Sequence, residues 1–255
     1  MKVSIIIPTY KRCHLLKWNL ISLSKQDLPF EFETIILNDG ILDETEQLVT
    51  QYKDKLNIKY LFTGSRNLGG QIIWRVPGYA INIGVKQSQG DIIIICCAEI
   101  FHLNNTIKIL IDAFDSSNSE KVLAIPQAKD DDGRFLKQLE SSNGQFDMNH
   151  YNVQPPLINV KFPFFLGMKR SEFENIGGYD EDFTGTDYDD EDLIMRLLSN
   201  GSYHEETSAL AIHLWHPRLS MTPERIPRFE FNKKLFEKRR GIIKRNVDKE
   251  WGKLV

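Results

Sequence analysis

Apolar residues in this chain fall into short β-branched runs separated by stretches of helical spacing. Val3–Ile7 is the first run, stopped by Pro8, and predicts a buried strand. Leu15, Leu16, Leu20 and Leu23 follow at a spacing that lines one face of a helix. Thr34–Leu37 predicts a second strand, ending in the turn sequence Asn38-Asp39-Gly40. Asp43, with Glu46 three residues on, has the form of a capping box and opens a helix through about Tyr52. Ile58–Phe62 predicts a third strand, Pro77–Gln87 a helix, and Asp91–Cys97 a strand built on four isoleucines. Strand and helix alternating in this rhythm predict βαβ units and an α/β fold with a parallel sheet.

The second half is less regular. Ile107–Phe114 predicts a helix and Lys121–Pro126 a strand. Residues 129–160 are polar, carry DDDG at 130–133 and Pro155-Pro156, and predict a long loop of the kind that often serves function. A dense stretch from Phe162 to Leu198 and the run Ala209–His216 follow. The tail from Phe229 to Arg245 interleaves Lys233, Lys234, Lys238, Arg239, Arg240, Lys244 and Arg245 with apolar residues. That pattern fits a helix packed on its own domain, or a peripheral contact with a membrane, nucleic acid or partner. No linker interrupts the chain. Residues 1–255 read as one domain, with halves at about 1–102 and 103–220 and a basic tail at 221–255.

In parallel sheets, ligands bind beyond the carboxyl ends of the strands. That rule puts Pro8–Arg12, Asn38–Gly40 and Ala98–His102 on one rim. Composition narrows the picture further. The chain has 255 residues, 41% of them hydrophobic, enough for a real core, and a formal net charge of −3 that gives no general affinity for polyanions. The apolar run near the N-terminus is too short for a signal peptide, and no apolar stretch reaches the roughly 18 residues of a membrane span. Two of the three cysteines, Cys96 and Cys97, are adjacent in an apolar strand, which suits reduced thiols. A cytoplasmic protein is expected.

Four groups of residues could carry chemistry, each with a plainer alternative. Glu99, at the end of the isoleucine strand, with His102 three residues on, could bind Mg²⁺ or Mn²⁺ or could cap the next turn. Asp39 could accept hydrogen bonds from a base or ribose, or serve as a turn aspartate. The acid-rich stretch from Glu181 to Asp192 could hold a general base raised by mutual repulsion, or cap a helix that follows it. His213 and His216, three apart, could share a metal or be structural. Arg66 and Arg75 could meet phosphates or solvent.

Taken in order, VSIIIPTYKR, LNDG, GDIIIICCAEIFH and FPFFLGMKRSEFENIGGYDEDFTGTDYDDEDLIMRL resemble a family 2 type glycosyltransferase, with a galactosyltransferase-like C-terminal region, over about residues 1–220. The resemblance implies a GT-A, Rossmann-like, mostly parallel central sheet flanked by helices. It implies transfer of a sugar from a nucleotide-sugar donor, a UDP-hexose or UDP-N-acetylhexosamine, to an acceptor hydroxyl. The acceptor could be a glycan, a lipid-linked sugar, a protein or a modified nucleobase. Residue by residue, Pro8, Thr9, Tyr10 and Arg12 match the loop that holds the nucleobase, Asp39 the uracil or ribose contact, and Arg75 a cation to the nucleotide. Phe164, Phe165, Gly167 and Met168 match the lining of the sugar cleft. Glu99 matches the last acid of the DxD motif that binds Mn²⁺ or Mg²⁺, and His216, with His213, the rest of the metal site. Asp190 matches the catalytic base of inverting members, and Asp189 a residue that holds acceptor or sugar hydroxyls. The DxD motif reads Cys97-Ala98-Glu99, so its first acid is missing. That leaves open a binding module that has lost catalysis; a retaining transferase stays open too, because such motifs do not fix stereochemistry. A nucleotidyltransferase fits less well, because VSIIIPTYKR lacks a glycine-rich loop.

Overall fold

The computed structural model describes residues 2–64, 74–117, 119, 121–152, 163–185, 187–218, 223 and 225–254. Arg66 lies outside them, as do residues 153–160 of the expected loop. The elements run β1 (Val3–Thr9), α1 (Cys13–Leu23), β2 (Phe32–Asn38), α2 (Thr45–Thr50), β3 (Asn57–Phe62), α3 (Pro77–Gln87), β4 (Ile92–Cys96), β5 (Ile100–His102) and α4 (Thr106–Ser116). They continue with β6 (Val122–Asp130), α5 (Arg134–Ser141), α6 (Met148–Asn152), β7 (Phe165–Lys169), α7 (Arg170–Asn175), α8 (Asp189–Ser199), β8 (Tyr203–His213) and α9 (Ile226–Lys238).

The strands form one sheet in the order β3-β2-β1-β4-β7-β6-β8-β5. Pairings β3–β2, β2–β1, β1–β4 and β6–β8 are parallel. Strand β7 is antiparallel to both β4 and β6, and β5 is antiparallel to β8. Two reversals restore direction, so β1, β2, β3, β4, β6 and β8 all point the same way. This mostly parallel sheet flanked by helices is the architecture the sequence implied.

Side chains alternate across the sheet, and both faces are covered, which is why β4 reads as an unbroken apolar run. Ile5, Ile7, Ile92, Ile94 and Cys96 pack on one face with Leu16 and Leu20 of α1 and Ile107 and Leu110 of α4. Ile6, Ile93 and Ile95 pack on the other with Ile83 of α3 and Leu193 and Leu197 of α8. The four isoleucines of β4 are 0–1% exposed, and each contributes about 1.5–3 kcal/mol of burial.

Two expectations change, and the tail is found packed on its own domain. Residues 129–160 are not a plain loop. Strand β6 runs to Asp130, and α5 and α6 follow. The DDDG sequence is a helix cap: the Asp131 carboxylate accepts from the backbone N–H groups of Gly133, Phe135, Leu136 and Trp215 at 2.8–3.2 Å. Phe135, Leu136 and Leu139 then pack with Trp18, Phe101 and Ile212. Gly167, expected in the lining of the donor-sugar cleft, is a core position. It lies mid-strand between Ile94 and Ala124, where a Cβ would meet Phe114 at 3.4 Å. Two cations of the basic tail turn inward. Arg245 contacts Asp192 at 2.7 Å and Asp180 at 3.0 Å, Arg239 pairs with Asp180 and Asp182, and Arg196 binds the other oxygen of Asp192 at 2.7 Å. No helix among the described residues is long and apolar enough to cross a membrane.

The tail closes on Gly177, whose φ is +77° and whose missing Cβ would fall 2.1 Å from the Arg245 carbonyl oxygen. Gly177→Ala should therefore lower unfolding stability by about 2–4 kcal/mol, from left-handed strain plus backbone displacement. Gly201→Ala, with φ +94° but only the flexible Lys121 side chain nearby, should cost about 1–2 kcal/mol. Denaturant melts of the two variants test the difference.

Candidate active site

Because the strands share a direction, their carboxyl ends deliver polar residues to one rim. Strand β1 delivers Thr9, Tyr10 and Arg12, β2 delivers Asp39, β4 delivers Glu99, β6 delivers Asp130, and β8 delivers His213 and His216. Asp39 is 2% exposed, and its backbone N–H donates to the Thr9 carbonyl at 2.8 Å. Its Oδ1 accepts from the Thr63 hydroxyl at 2.7 Å and from Arg75 at 3.3 Å. Arg75 also donates to the Thr63 carbonyl at 2.8 Å and lies over the Tyr79 ring at 4.4 Å. Asp39 and Arg75, both expected at the nucleotide, are thus brought together as a buried pair. Pro8 is half-buried beside Leu37, while Tyr10 is exposed.

Arg12 reaches away from the base loop. Its Nε donates to Glu99 Oε1 at 3.0 Å, and an NH2 group lies 3.2 Å from His216 Nδ1. His216 Nε2 stands 3.9 Å from the same Glu99 oxygen. Burial lowers the His216 pKa, which favours the neutral, metal-competent imidazole. Two ligands of an octahedral ion with bonds of about 2.1 Å sit about 3 Å apart, so this pair must close by about 1 Å to share an ion. Among the described residues no three His, Cys, Asp or Glu side chains converge on one point. Cys97 stands where the missing acid would be, and burial, with the Glu99 charge, pushes its thiol well above the ordinary range. Two protein ligands fit an ion that completes its shell with phosphate oxygens, as Mg²⁺ commonly does. His213 is turned to Asp130, at 2.9 Å, and meets His216 edge-on at 5.2 Å between ring centroids.

His102 takes no part. Its ring is buried against Phe165, with Nδ1 2.7 Å from Thr106 Oγ1, and burial pushes its pKa down to about 3. Phe165 is likewise core, whereas Phe164 is half-buried, 6.2 Å from the His213 ring.

The acid-rich stretch divides into two sets. Asp180, Asp182 and Asp192 are held by arginines of α8 and the tail, as described above. Asp189 and Asp190 begin α8. Asp189 is buried, and burial together with the neighbouring Asp190 charge raises its carboxyl well above the ordinary range. Burial puts Asp189 out of reach of acceptor hydroxyls. Asp190 is open to solvent on one side and accepts a hydrogen bond from the Tyr179 hydroxyl at 2.9 Å. The protein packed around it raises its pKa, and the Tyr179 bond opposes that. Asp190 and Glu99, from opposite halves of the chain, both lie close enough to Cys97 to raise its thiol pKa, below burial in effect. The bridge between Arg75 and Thr184, and the bond from Gly185 N to the Trp74 carbonyl at 2.7 Å, join those halves.

Asp187 and Tyr188, just before α8, are non-glycine residues with φ of +76° and +72°. Such strain persists only where the surroundings impose it. Here α9 imposes it. Asn232, fully buried, donates to the Thr184 carbonyl at 2.8 Å and the Asp187 carbonyl at 3.1 Å and accepts from Thr184 N. Phe229 and Phe236 flank the Tyr188 ring at 5.2 and 5.3 Å. The sequence reading missed this brace. Its one local signal was an asparagine amid an otherwise charged and apolar helix.

Asn232→Ala should release the turn, speeding amide exchange at Asp187 and Tyr188 by roughly 10–100-fold with β1 and β4 amides unchanged, since buried polar bonds of this kind contribute about 1–3 kcal/mol. For His102 the folded pKa lies below the unfolded 6.5. The unfolded chain therefore binds more protons, and stability rises with pH between the two values. The contribution is complete above about pH 6.5 and drains as pH falls toward 3. His102→Asn should flatten that limb in urea melts taken from pH 7 to 4.

Residues 4–177 match the model of glycosyl transferase family 2. The chain is 33% identical over 124 residues to poly(ribitol-phosphate) beta-N-acetylglucosaminyltransferase TarS of Staphylococcus aureus, covering 48% of this chain and 20% of that one. It is 26% identical over 230 residues to validoxylamine A glucosyltransferase of Streptomyces hygroscopicus subsp. jinggangensis, covering 78% and 52%. The crystal structure of S. aureus TarS 1-349 in complex with UDP-GlcNAc superposes with a TM-score of 0.65 at 20% identity, over 92% of this chain and 65% of that one. The chain spans about half or less of these two curated relatives' length. The family match ends before the Tyr179–Leu198 segment, which carried most of the galactosyltransferase-like resemblance. On the match over 4–177, the chain belongs to glycosyl transferase family 2.

Proposed function

We propose that this chain transfers a sugar from a nucleotide-sugar donor, a UDP-hexose or UDP-N-acetylhexosamine, to an acceptor hydroxyl with inversion. One observation carries the reading. A solvent-open carboxylate of raised pKa, Asp190, and Glu99 of the Glu99–His216 pair both lie near Cys97, although they come from opposite halves of the chain. The donor class rests on the family and on the UDP-GlcNAc complex of TarS. The acceptors named for the relatives, poly(ribitol-phosphate) and validoxylamine A, are too unlike to carry over. The galactosyltransferase-like pattern of GGYDEDF and DDEDLIMRL supports a hexose or N-acetylhexosamine.

In this reading Asp190 takes the acceptor proton as the oxygen attacks the anomeric carbon. The Tyr179 hydroxyl orients the carboxylate, and its raised pKa improves it as a base at neutral pH. Burial and the neighbouring Asp190 charge push the Asp189 carboxyl well above the ordinary range, which works against a second negative charge beside the base. Asn232 and the α9 aromatics keep the turn aimed at the cleft. Glu99 and His216 would hold Mn²⁺ or Mg²⁺, which when bound stabilises the charge on the departing diphosphate. A second reading, a nucleotide-sugar binding module, is favoured by one feature only, the Cys97 thiol in place of the first acid of the motif.

The first experiment is a thermal-shift screen of nucleotide sugars with and without Mn²⁺. A ligand that binds only the folded state raises the apparent melting point. Transfer is then assayed with Asp190→Asn. Its kcat should fall by roughly 10²–10⁴ with donor affinity unchanged, the usual scale for a lost general base. The acidic limb of wild-type kcat should lie above the ordinary aspartate value of about 3.9. Unchanged turnover in Asp190→Asn would remove the base assignment. Donor binding with no transfer to any acceptor hydroxyl favours the binding module.

A further inference from the structure

Arg12 occupies the position that a divalent ion needs. It bonds to Glu99 through Nε and approaches His216 Nδ1 through NH2, at 3.0 and 3.2 Å. These are the two side chains assigned above to the ion. His216 Nδ1 has a second neighbour, the Pro217 carbonyl oxygen at 3.0 Å. One ring nitrogen cannot serve both. If Nδ1 carries the hydrogen, it donates to Pro217 and leaves the Nε2 lone pair facing Glu99, the arrangement of a metal ligand oriented by a backbone carbonyl. If Nδ1 is bare, it accepts from Arg12, and Nε2 presents an N–H that excludes a cation.

Charge points the same way. Arg12 already neutralises Glu99, and a dication beside that guanidinium would be repelled. The Arg12 side chain is 28% exposed, so it has room to swing. Helix α1 does not need it: the Arg12 backbone carbonyl accepts from Leu15 N and Leu16 N, and its side chain makes no capping bond. Once displaced, its planar fork of N–H donors matches phosphate oxygens.

We propose that Arg12 is a resident cation that competes with the divalent ion for Glu99 and His216, so that the ion enters together with the nucleotide diphosphate, which takes up the displaced guanidinium. This rests on the donor-site reading above. It makes metal and nucleotide binding mutually dependent, with Arg12 as the coupling residue.

The test is a Mn²⁺ titration followed by the electron paramagnetic resonance signal of free ion, with and without UDP. Wild type, Arg12→Ala, Arg12→Lys and the double variant Arg12→Ala/Glu99→Gln are compared. Without UDP, Arg12→Ala should bind Mn²⁺ at least roughly tenfold more tightly than wild type, as expected when a neighbouring cation is removed. Arg12→Lys, which keeps the charge, should stay near wild type, and the double variant should lose the gain. UDP should tighten Mn²⁺ binding more in wild type than in Arg12→Ala. The proposal is overturned if Arg12→Ala binds Mn²⁺ no more tightly than wild type. It is also overturned if metal-free wild type binds UDP and Arg12→Ala loses UDP without gaining metal, because Arg12 would then be a fixed phosphate contact. A metal gain in Arg12→Ala with no UDP binding by any variant supports the competition at Glu99 and overturns the donor-site reading instead.

Discussion

The polar groups on the rim owe their position to the direction in which six strands run. Strands β1, β2 and β4 are aligned by direct parallel pairing, and β6 and β8 by two reversals through β7. Loops after these strands therefore share one edge, although they lie more than 200 residues apart in the chain. Arg12 can meet Glu99 and His216 only because of that alignment. The alignment in turn rests on isoleucines that alternate between two helix-covered faces. A slip of one residue in β4 would exchange Ile93 and Ile95 with Ile94 and Cys96 and break both packing clusters.

On this frame the second half supplies what the sheet cannot, an accessible acid in a defined place. The turn before α8 is strained, and its conformation is imposed from outside by α9. The ion network behind it does similar work. Asp180 and Asp192 would repel one another in isolation, and Arg196, Arg239 and Arg245 neutralise them with both carboxylates buried, while Asp182 meets Arg239 nearer the solvent. Such networks add little net stability over an apolar core, but removing one partner leaves an uncompensated charge and costs about 3–5 kcal/mol. This network locks the C-terminal tail against α8. The tail packs on its own domain, the first of its two readings, and through Arg239 and Arg245 it holds the acids before and within α8.

Two proton-holding groups near the rim are silenced by burial and not by partners. Cys96 is pushed up to about 12 and His102 down to about 3, so one stays a thiol and the other a neutral imidazole at physiological pH. His216, set less deeply, keeps a choice between two hydrogen-bond partners. The difference between a core histidine and a site histidine here is depth: three residues past Glu99 leads into the core, while the end of β8 leads to the rim.

Elements with a local cause were legible in the sequence. The β-branched runs gave strands β1 to β4 with bounds close to those found, and Pro77 and Gln87 bound α3 as predicted. The rim positions of Asp39 and Glu99 followed from connection rules alone. What local pattern does not encode is partnership. DDDG looked like a loop because the N–H groups that Asp131 accepts are those of a short helix with few apolar residues. Gly167 looked like a ligand contact because sequence does not say that Phe114 covers it. Asn232, Arg239 and Arg245 carried no mark of their partners, 45–59 residues away. The pairing of Arg12 with Glu99 and His216, 87 and 204 residues distant, is of the same kind. Periodicity and chain stiffness act over a few residues and determine secondary structure and sheet direction. Which charge meets which is decided when the sheet closes, because only then do distant side chains lose their water and require one another.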